Sequence, residues 1–194
     1  MYNRISSYNK EALWTHQSLV GIDLADNVGL SIPGNSEIDL PQLSFLSIAN
    51  NEVTVDTFFD ANTFPSLLFL YLNGNELRKF PDQSLQTSLV KLGVARCNLK
   101  ELPSYLSDFR KLRYLDARDN NVTFIDKNLK ALIANNKVES YFSGNHDLCN
   151  RDKSLDCEPL CSKYCWSRNV IKDGYCDIEC NDELCNFDGG DCVV

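Results

Sequence analysis

Two aspartates bracket a pair of glycines, Asp188-Gly189-Gly190-Asp191, inside the densest cysteine run of the chain, DGYCDIECNDELCNFDGGDC from Asp173 to Cys192. Carboxylates this close, on a backbone that two glycines leave free to turn sharply, suit a hard cation taking several oxygen ligands at about 2.3–2.6 Å. Cys176, Cys180, Cys185 and Cys192 are interleaved with them. So short a run buries little apolar surface, and covalent or ionic cross-links must hold it together. The rival chemistry is a four-thiolate zinc site in a reducing compartment, from Cys161-x3-Cys165 and Cys176-x3-Cys180. That reading leaves Cys185, Cys192 and the DGGD pair without a role. An EF-hand is excluded by spacing: counted from Asp177, position six is not glycine and cysteines interrupt the loop.

The rest of the 194 residues must position this run. Eight of the nine cysteines, 149, 157, 161, 165, 176, 180, 185 and 192, lie after residue 148, and Cys97 stands alone. An even cluster in a short segment predicts a disulfide framework in an oxidising compartment. The net charge of -8 argues against nucleic acid or an anionic membrane as the partner. Acid gathers in the same place: from Cys149 onward there are ten Asp or Glu against five Lys or Arg. No stretch reaches the length of a membrane span, and MYNRISSYNKEALWTH has no apolar leader core. With the cysteine framework, these features lead us to expect a fragment of a larger secreted or membrane-anchored parent.

Residues 19–148 carry a second pattern, LxxLxLxxN. Leu19, Ile22, Leu24 and Asn27 match it, as do Leu43, Leu46, Ile48 and Asn51, then Leu67, Leu70, Leu72 and Asn75. Leu89, Leu92, Val94 and Cys97 follow, then Leu112, Leu115, Ala117 and Asn120, with a weak sixth at Phe142 and Asn145. The Asn or Cys positions fall 24, 24, 22, 23 and 25 residues apart. The pattern resembles the leucine-rich repeat, which implies an α/β solenoid, a right-handed horseshoe segment. In such a fold each coil shares its apolar face with the next. The Asn amide would satisfy backbone groups at the turn out of each strand. Cys97 at that position reads as a buried, free, structural thiol. ALIANN near 131–136 suits a short helical turn on the far side. Residues 1–18 read as a lead-in or partial repeat, and Cys149 with Cys157 as a staple across the C-terminal flank, 149–157.

Residues flanking the inward leucines face outward and are the expected partner-binding surface. On this reading it is lined by Asp23, Ser47, Tyr71, Asn73, Arg96, Asp116 and Arg118, mostly among small residues. The partner is an unknown protein ligand. Asn121-Val122-Thr123 is an N-glycosylation acceptor pattern.

The tail CDIECNDELCNFDGGDC closely resembles the Notch-type repeat, the LNR domain, over about 32 residues. The resemblance implies one Ca²⁺ held by the side chains of Asp173, Asp188 and Asp191 and the Tyr175 carbonyl, with a further ligand near Val170. It also implies the pairs Cys161–Cys185, Cys165–Cys180 and Cys176–Cys192. Spacing alone leaves fifteen connectivities open, and either Cys157 or Cys161 could open the module. The module would occupy 158–194. No nucleophile–histidine motif accompanies His16 or His146, and no phosphate loop is present, so we expect a non-catalytic extracellular recognition protein. Two alternatives are the substrate-recognition region of a larger enzyme and a cytosolic repeat scaffold with reduced thiols.

Overall fold

Apolar residues alternating with outward-facing ones make the centre of each repeat a short strand. A computed structural model describes residues 5, 9–27, 32–51, 54–55, 59–158, 161–162, 165 and 170–192, with backbone alone for 54–55 and 179. They form two compact units, Met1–Asp156 and Cys157–Val194. Parts of the expected lead-in (1–4 and 6–8) and of the expected module (159–160, 163–164, 166–169 and 193–194) lie outside the described residues.

The first unit contains β1 (Gly21–Asp23), β2 (Phe45–Ser47), β3 (Thr54–Val55), β4 (Phe69–Tyr71), β5 (Glu76–Leu77), β6 (Lys91–Gly93), β7 (Tyr114–Asp116) and β8 (Glu139–Tyr141). Six of these pair side by side as one sheet in the order β1-β2-β4-β6-β7-β8, and β3 pairs with β5. Every pairing is parallel. In register across the large sheet stand Ile22, Leu46, Leu70, Leu92, Leu115 and Ser140. The five apolar members are buried, and four of them are wholly inaccessible. Each buried Leu or Ile contributes about 1.5–3 kcal/mol relative to exposure. Ser140 replaces the inward apolar residue in the last coil, which is why the sixth repeat is faint in sequence. Phe142 and Asn145 are nevertheless fully buried there.

The Asn and Cys positions form a continuous polar ladder. Asn51 Nδ2 donates to Leu24 O, one coil back, and to Ile48 O in its own coil. Asn75 Nδ2 repeats this with Ile48 O and Leu72 O. Asn120 Nδ2 does so with Val94 O and Ala117 O, and Asn145 Nδ2 with Ala117 O and Phe142 O. Cys97 substitutes a thiol, its Sγ 3.3 Å from both Leu72 O and Ala95 O. It is free and buried, and burial pushes its pKa up to about 12.

Short helices accompany the strands. The helix α1 (Lys10–Trp14) is capped by the Asn9 side chain, which accepts from Ala12 N, and it buries Trp14. The lead-in thus contributes core, a role its polar composition hides. The helix α2 (Lys127–Asn136) starts where Asp126 accepts from Asn128 N and buries Leu129 and Leu132. It is longer than the turn expected from ALIANN because the capping residue lies five positions upstream of Ala131. The helix α3 (His146–Arg151) follows Asn145.

One glycine carries a testable constraint. Gly144 sits at φ +81°, and a Cβ there would stand 2.9 Å from both Asp119 Cα and Asp119 N. Backbone in the neighbouring coil cannot move aside cheaply, and a left-handed alanine is itself strained. Gly144→Ala is expected to destabilise the first unit by about 1–3 kcal/mol, read as a lowered urea midpoint at constant m-value. An unchanged midpoint would mean that the two coils are not held this closely.

Candidate functional site

In the C-terminal unit, sulfur does the work that leucine does in the sheet. Cys165, Cys180, Cys185 and Val170 form its buried cluster, with Cys161 and Ile171 packed against it. Disulfides join Cys161 to Cys185, Cys165 to Cys180 and Cys176 to Cys192. Cys149 and Cys157 are also disulfide-bonded. The sulfurs of Cys161, Cys165 and Cys185 lie within 4.8 Å of one another. All three are oxidised in these bridges, so they offer no thiolates to zinc.

Oxygen atoms gather elsewhere in the unit. Asp173 Oδ1 accepts from Tyr175 N at 2.9 Å, which closes a local turn. Gly174, at φ +95°, donates its N–H to Asp191 Oδ2 at 2.8 Å. Asp177 N donates to Asp188 Oδ2 at 2.6 Å. These last two bonds tie segment 173–177 to segment 188–191, so the structure brings Asp173, Asp188 and Asp191 onto connected backbone. Val170 is buried in the cystine cluster, and the Tyr175 side chain is exposed.

The backbone that presents Asp188 is unusual. From Asn186 to Gly190 five consecutive residues have positive φ: 50°, 51°, 60°, 64° and 104°. A left-handed turn costs L-residues about 1–2 kcal/mol each, and Asn186, Phe187 and Asp188 all bear side chains. At Gly189 the absent Cβ matters, since one would sit 2.7 Å from Lys172 Cβ and 3.1 Å from Lys172 N. The turn drives Asp188 wholly inside, where its Oδ1 has no hydrogen-bond partner among the described residues. A buried carboxylate oxygen without a donor is strongly unfavourable unless a cation meets it. Three carboxylates with short arms suit a hard cation rather than a soft one.

Residues 156–193 match the family model described as Notch: LNR domain. LNR domains are non-enzymatic modules typical of extracellular proteins. No curated protein matches the chain. No helix among the described residues is long and apolar enough to cross a membrane. The LNR match covers the three cystines Cys161–Cys185, Cys165–Cys180 and Cys176–Cys192 and all four residues named for the metal, and it leaves out Cys149 and the parallel sheet.

The outward sheet face differs from the expected surface in two respects, the first of them burial. Asp23 is exposed, and Tyr71, Asn73 and Arg96 are half-buried, whereas Ser47, Asp116 and Arg118 are buried. Arg118 clamps Asp116 with two bonds of 2.8 Å, from its Nε and one terminal nitrogen. Burial works against the Arg118 charge, but the Asp116 carboxylate outweighs it and raises the pKa. The Asp116 and Arg118 charges, expected in solvent, are thus neutralised in place, and aromatic rings pack around them, Phe45 and Tyr71 half-buried and Tyr114 and Tyr141 buried. Ring centroids run Phe45–Tyr71 at 5.8 Å, Tyr71–Tyr114 at 6.4 Å and Tyr114–Tyr141 at 6.1 Å. Burial, then the Asp116 charge, pushes Tyr71 up to about 12 and raises Tyr114 as well.

Phe45, Phe69, Lys91, Tyr114 and Glu139 occupy one further outward column, which the expected surface omits. Its signal is present in the repeat: residues on both sides of each inward leucine face outward, and the expected surface draws only on those that follow it. Tyr71 reaches Tyr114 across β6 because Gly93 lies between them; a Cβ there would stand 2.9 Å from Tyr71 Cδ1. Asn121 is exposed, its Nδ2 bonded to Asn98 Oδ1 at 3.2 Å.

Proposed function

We propose that the chain is a non-catalytic extracellular or cell-surface recognition segment. Residues 19–148 are a leucine-rich-repeat solenoid with a stapled flank at 149–157, and residues 158–194 are a Ca²⁺-binding LNR module. The observation that carries the metal reading is the fully buried, unpartnered Asp188 Oδ1. Asp173, Asp188, Asp191 and the Tyr175 carbonyl would hold the ion. When bound, Ca²⁺ supplies positive charge that neutralises the gathered carboxylates. The chain's own part is to hold Asp188 inward through the left-handed turn and the Asp177 N–H.

The solenoid reading is supported by the side-chain ladder, which links each coil to the one before it. The outward face is the proposed partner-binding surface and the exposed Asn121 the proposed glycan attachment point. Oxidised cysteines favour an extracellular or cell-surface location over a reducing cytosol.

Calorimetric titration tests the metal site. We expect one Ca²⁺ per chain with a dissociation constant on the order of 10⁻⁴–10⁻³ M, as in other extracellular modules. Asp188→Asn is expected to abolish the heat. Binding that survives in this variant would remove Asp188 from the site. Absence of binding by the unmodified chain at 10 mM Ca²⁺, roughly tenfold above that range, would remove the site itself.

A further inference from the structure

The outward sheet face carries more chemical information than the solenoid reading uses. Its three basic side chains are engaged internally. Lys91 Nζ lies 5.9 Å from the ring centroids of both Phe69 and Tyr114. Arg96 donates to Asn50 Oδ1 at 2.8 Å, and Arg118 is bound to Asp116. Of its carboxylates, Asp116 is taken up by Arg118, but those at the two ends are exposed. Asp23 is exposed and accepts from Ala25 N, with no cationic partner among the described residues. Asp119 is exposed likewise at the other end of the sheet. Glu139 is half-buried and accepts from the Tyr141 hydroxyl.

Beside Asp23 lies the outermost ring of the aromatic row. Phe45 pairs in register with Gly21, which has no side chain to cover the ring's flank. Asp23 stands one strand over and two residues along, about 8 Å away by strand geometry. A ring flank open beside an unpaired carboxylate is a two-part site for a cationic side chain, which an aromatic quadrupole and a negative charge both attract. Lys91, seated between Phe69 and Tyr114, shows the same attraction already in use within the row.

We infer that this face takes an extended segment of a partner protein carrying Lys or Arg, with one cationic side chain between Phe45 and Asp23. The inference rests on the proposal that this face is the partner-binding surface, and it names the chemistry of the partner. The peptide would run from Phe45 across the half-buried Tyr71, over strands that span about 19 Å from β2 to β8 at the usual strand spacing. An anionic partner would meet the exposed Asp23 and Asp119 and be repelled.

Panning a random dodecapeptide display library against the full chain at physiological salt tests this. The expected winners carry Lys or Arg. Asp23→Asn, an exposed change that leaves the fold intact, is expected to weaken them about tenfold, equivalent to 1.4 kcal/mol. Phe45→Ala is expected to weaken them further, and Glu101→Gln, an exposed acid outside this face, to stay within twofold. Winners that depend on Phe45 but are neutral or acidic would overturn the cationic assignment and leave the binding face standing. A neutral sugar returned by a glycan array and bound through Phe45 would overturn the cationic assignment in the same way. Winners indifferent to both Asp23 and Phe45 would overturn the binding face as well.

Discussion

Replacing Cys165 and Cys180 together by alanine is expected to unfold the C-terminal unit and leave the urea transition of the parallel sheet in place. Both sulfurs are fully buried, and with Cys185 and Val170 they are the centre of the unit's core. Their removal therefore deletes a cross-link and empties the core at once. Closing a loop with a sequence separation of 15 restricts the unfolded chain by about 3 kcal/mol. Removal of a native disulfide from a small domain costs about 2–5 kcal/mol, and units of this size hold little in reserve. Withdrawing Ca²⁺ with the disulfides intact is the useful contrast. A tenfold excess of ligand over its dissociation constant adds only about 1.4 kcal/mol. Amide exchange across residues 170–192 reads both experiments. The double variant should exchange throughout, and chelation should raise exchange chiefly around Asp177 and Asp188. Retained protection at Cys185 in the double variant would mean that something other than the cystines holds the unit.

The sequence makes this unit legible because its constraints are covalent and closely spaced. Four cysteines and the three aspartates Asp173, Asp188 and Asp191 within twenty residues mark the module, although spacing alone leaves the cysteine pairing open and the resemblance supplied it. The left-handed course of Asn186, Phe187 and Asp188 is not legible in the same way. Gly189 and Gly190 announce a turn, but nothing in asparagine, phenylalanine or aspartate demands positive φ, and only the buried position of Asp188 explains it. The sheet shows the same division. Its period is visible because the apolar triplet and the polar ladder recur every 22–25 residues. Asp116 and Arg118 pair locally, two residues apart, but their burial depends on the rings around them, which come from neighbouring repeats. Trp14 is hidden for a related reason, since the polar residues around it describe the solvent side of α1 and say nothing of what the tryptophan meets.

The polar ladder yields the largest effect expected of a single substitution in the sheet. Asn120→Ala should destabilise the first unit by about 3–5 kcal/mol, whereas Cys97→Ala should cost about 1 kcal/mol. Asn120 Oδ1 accepts from both Cys97 N and Leu99 N at 3.0 Å, and its Nδ2 donates to Val94 O, Ala117 O and Arg118 O. Two of those carbonyls keep another donor, because Asn145 Nδ2 also reaches Ala117 O and Arg96 N also reaches Arg118 O. Cys97 N, Leu99 N and Val94 O lose these bonds in a site that is only 5% exposed. Each buried group stranded in this way costs about 1–3 kcal/mol, and partial entry of water holds the total below the simple sum. At Cys97 the single thiol proton is shared weakly between two carbonyls at 3.3 Å, and Leu72 O retains Asn75 Nδ2. Urea unfolding of both variants, fitted with a shared m-value, separates the two outcomes. Equal losses of about 1 kcal/mol would show that the ladder merely accompanies the stacking of leucines; a threefold or greater difference would show that the amide joins one coil to the next.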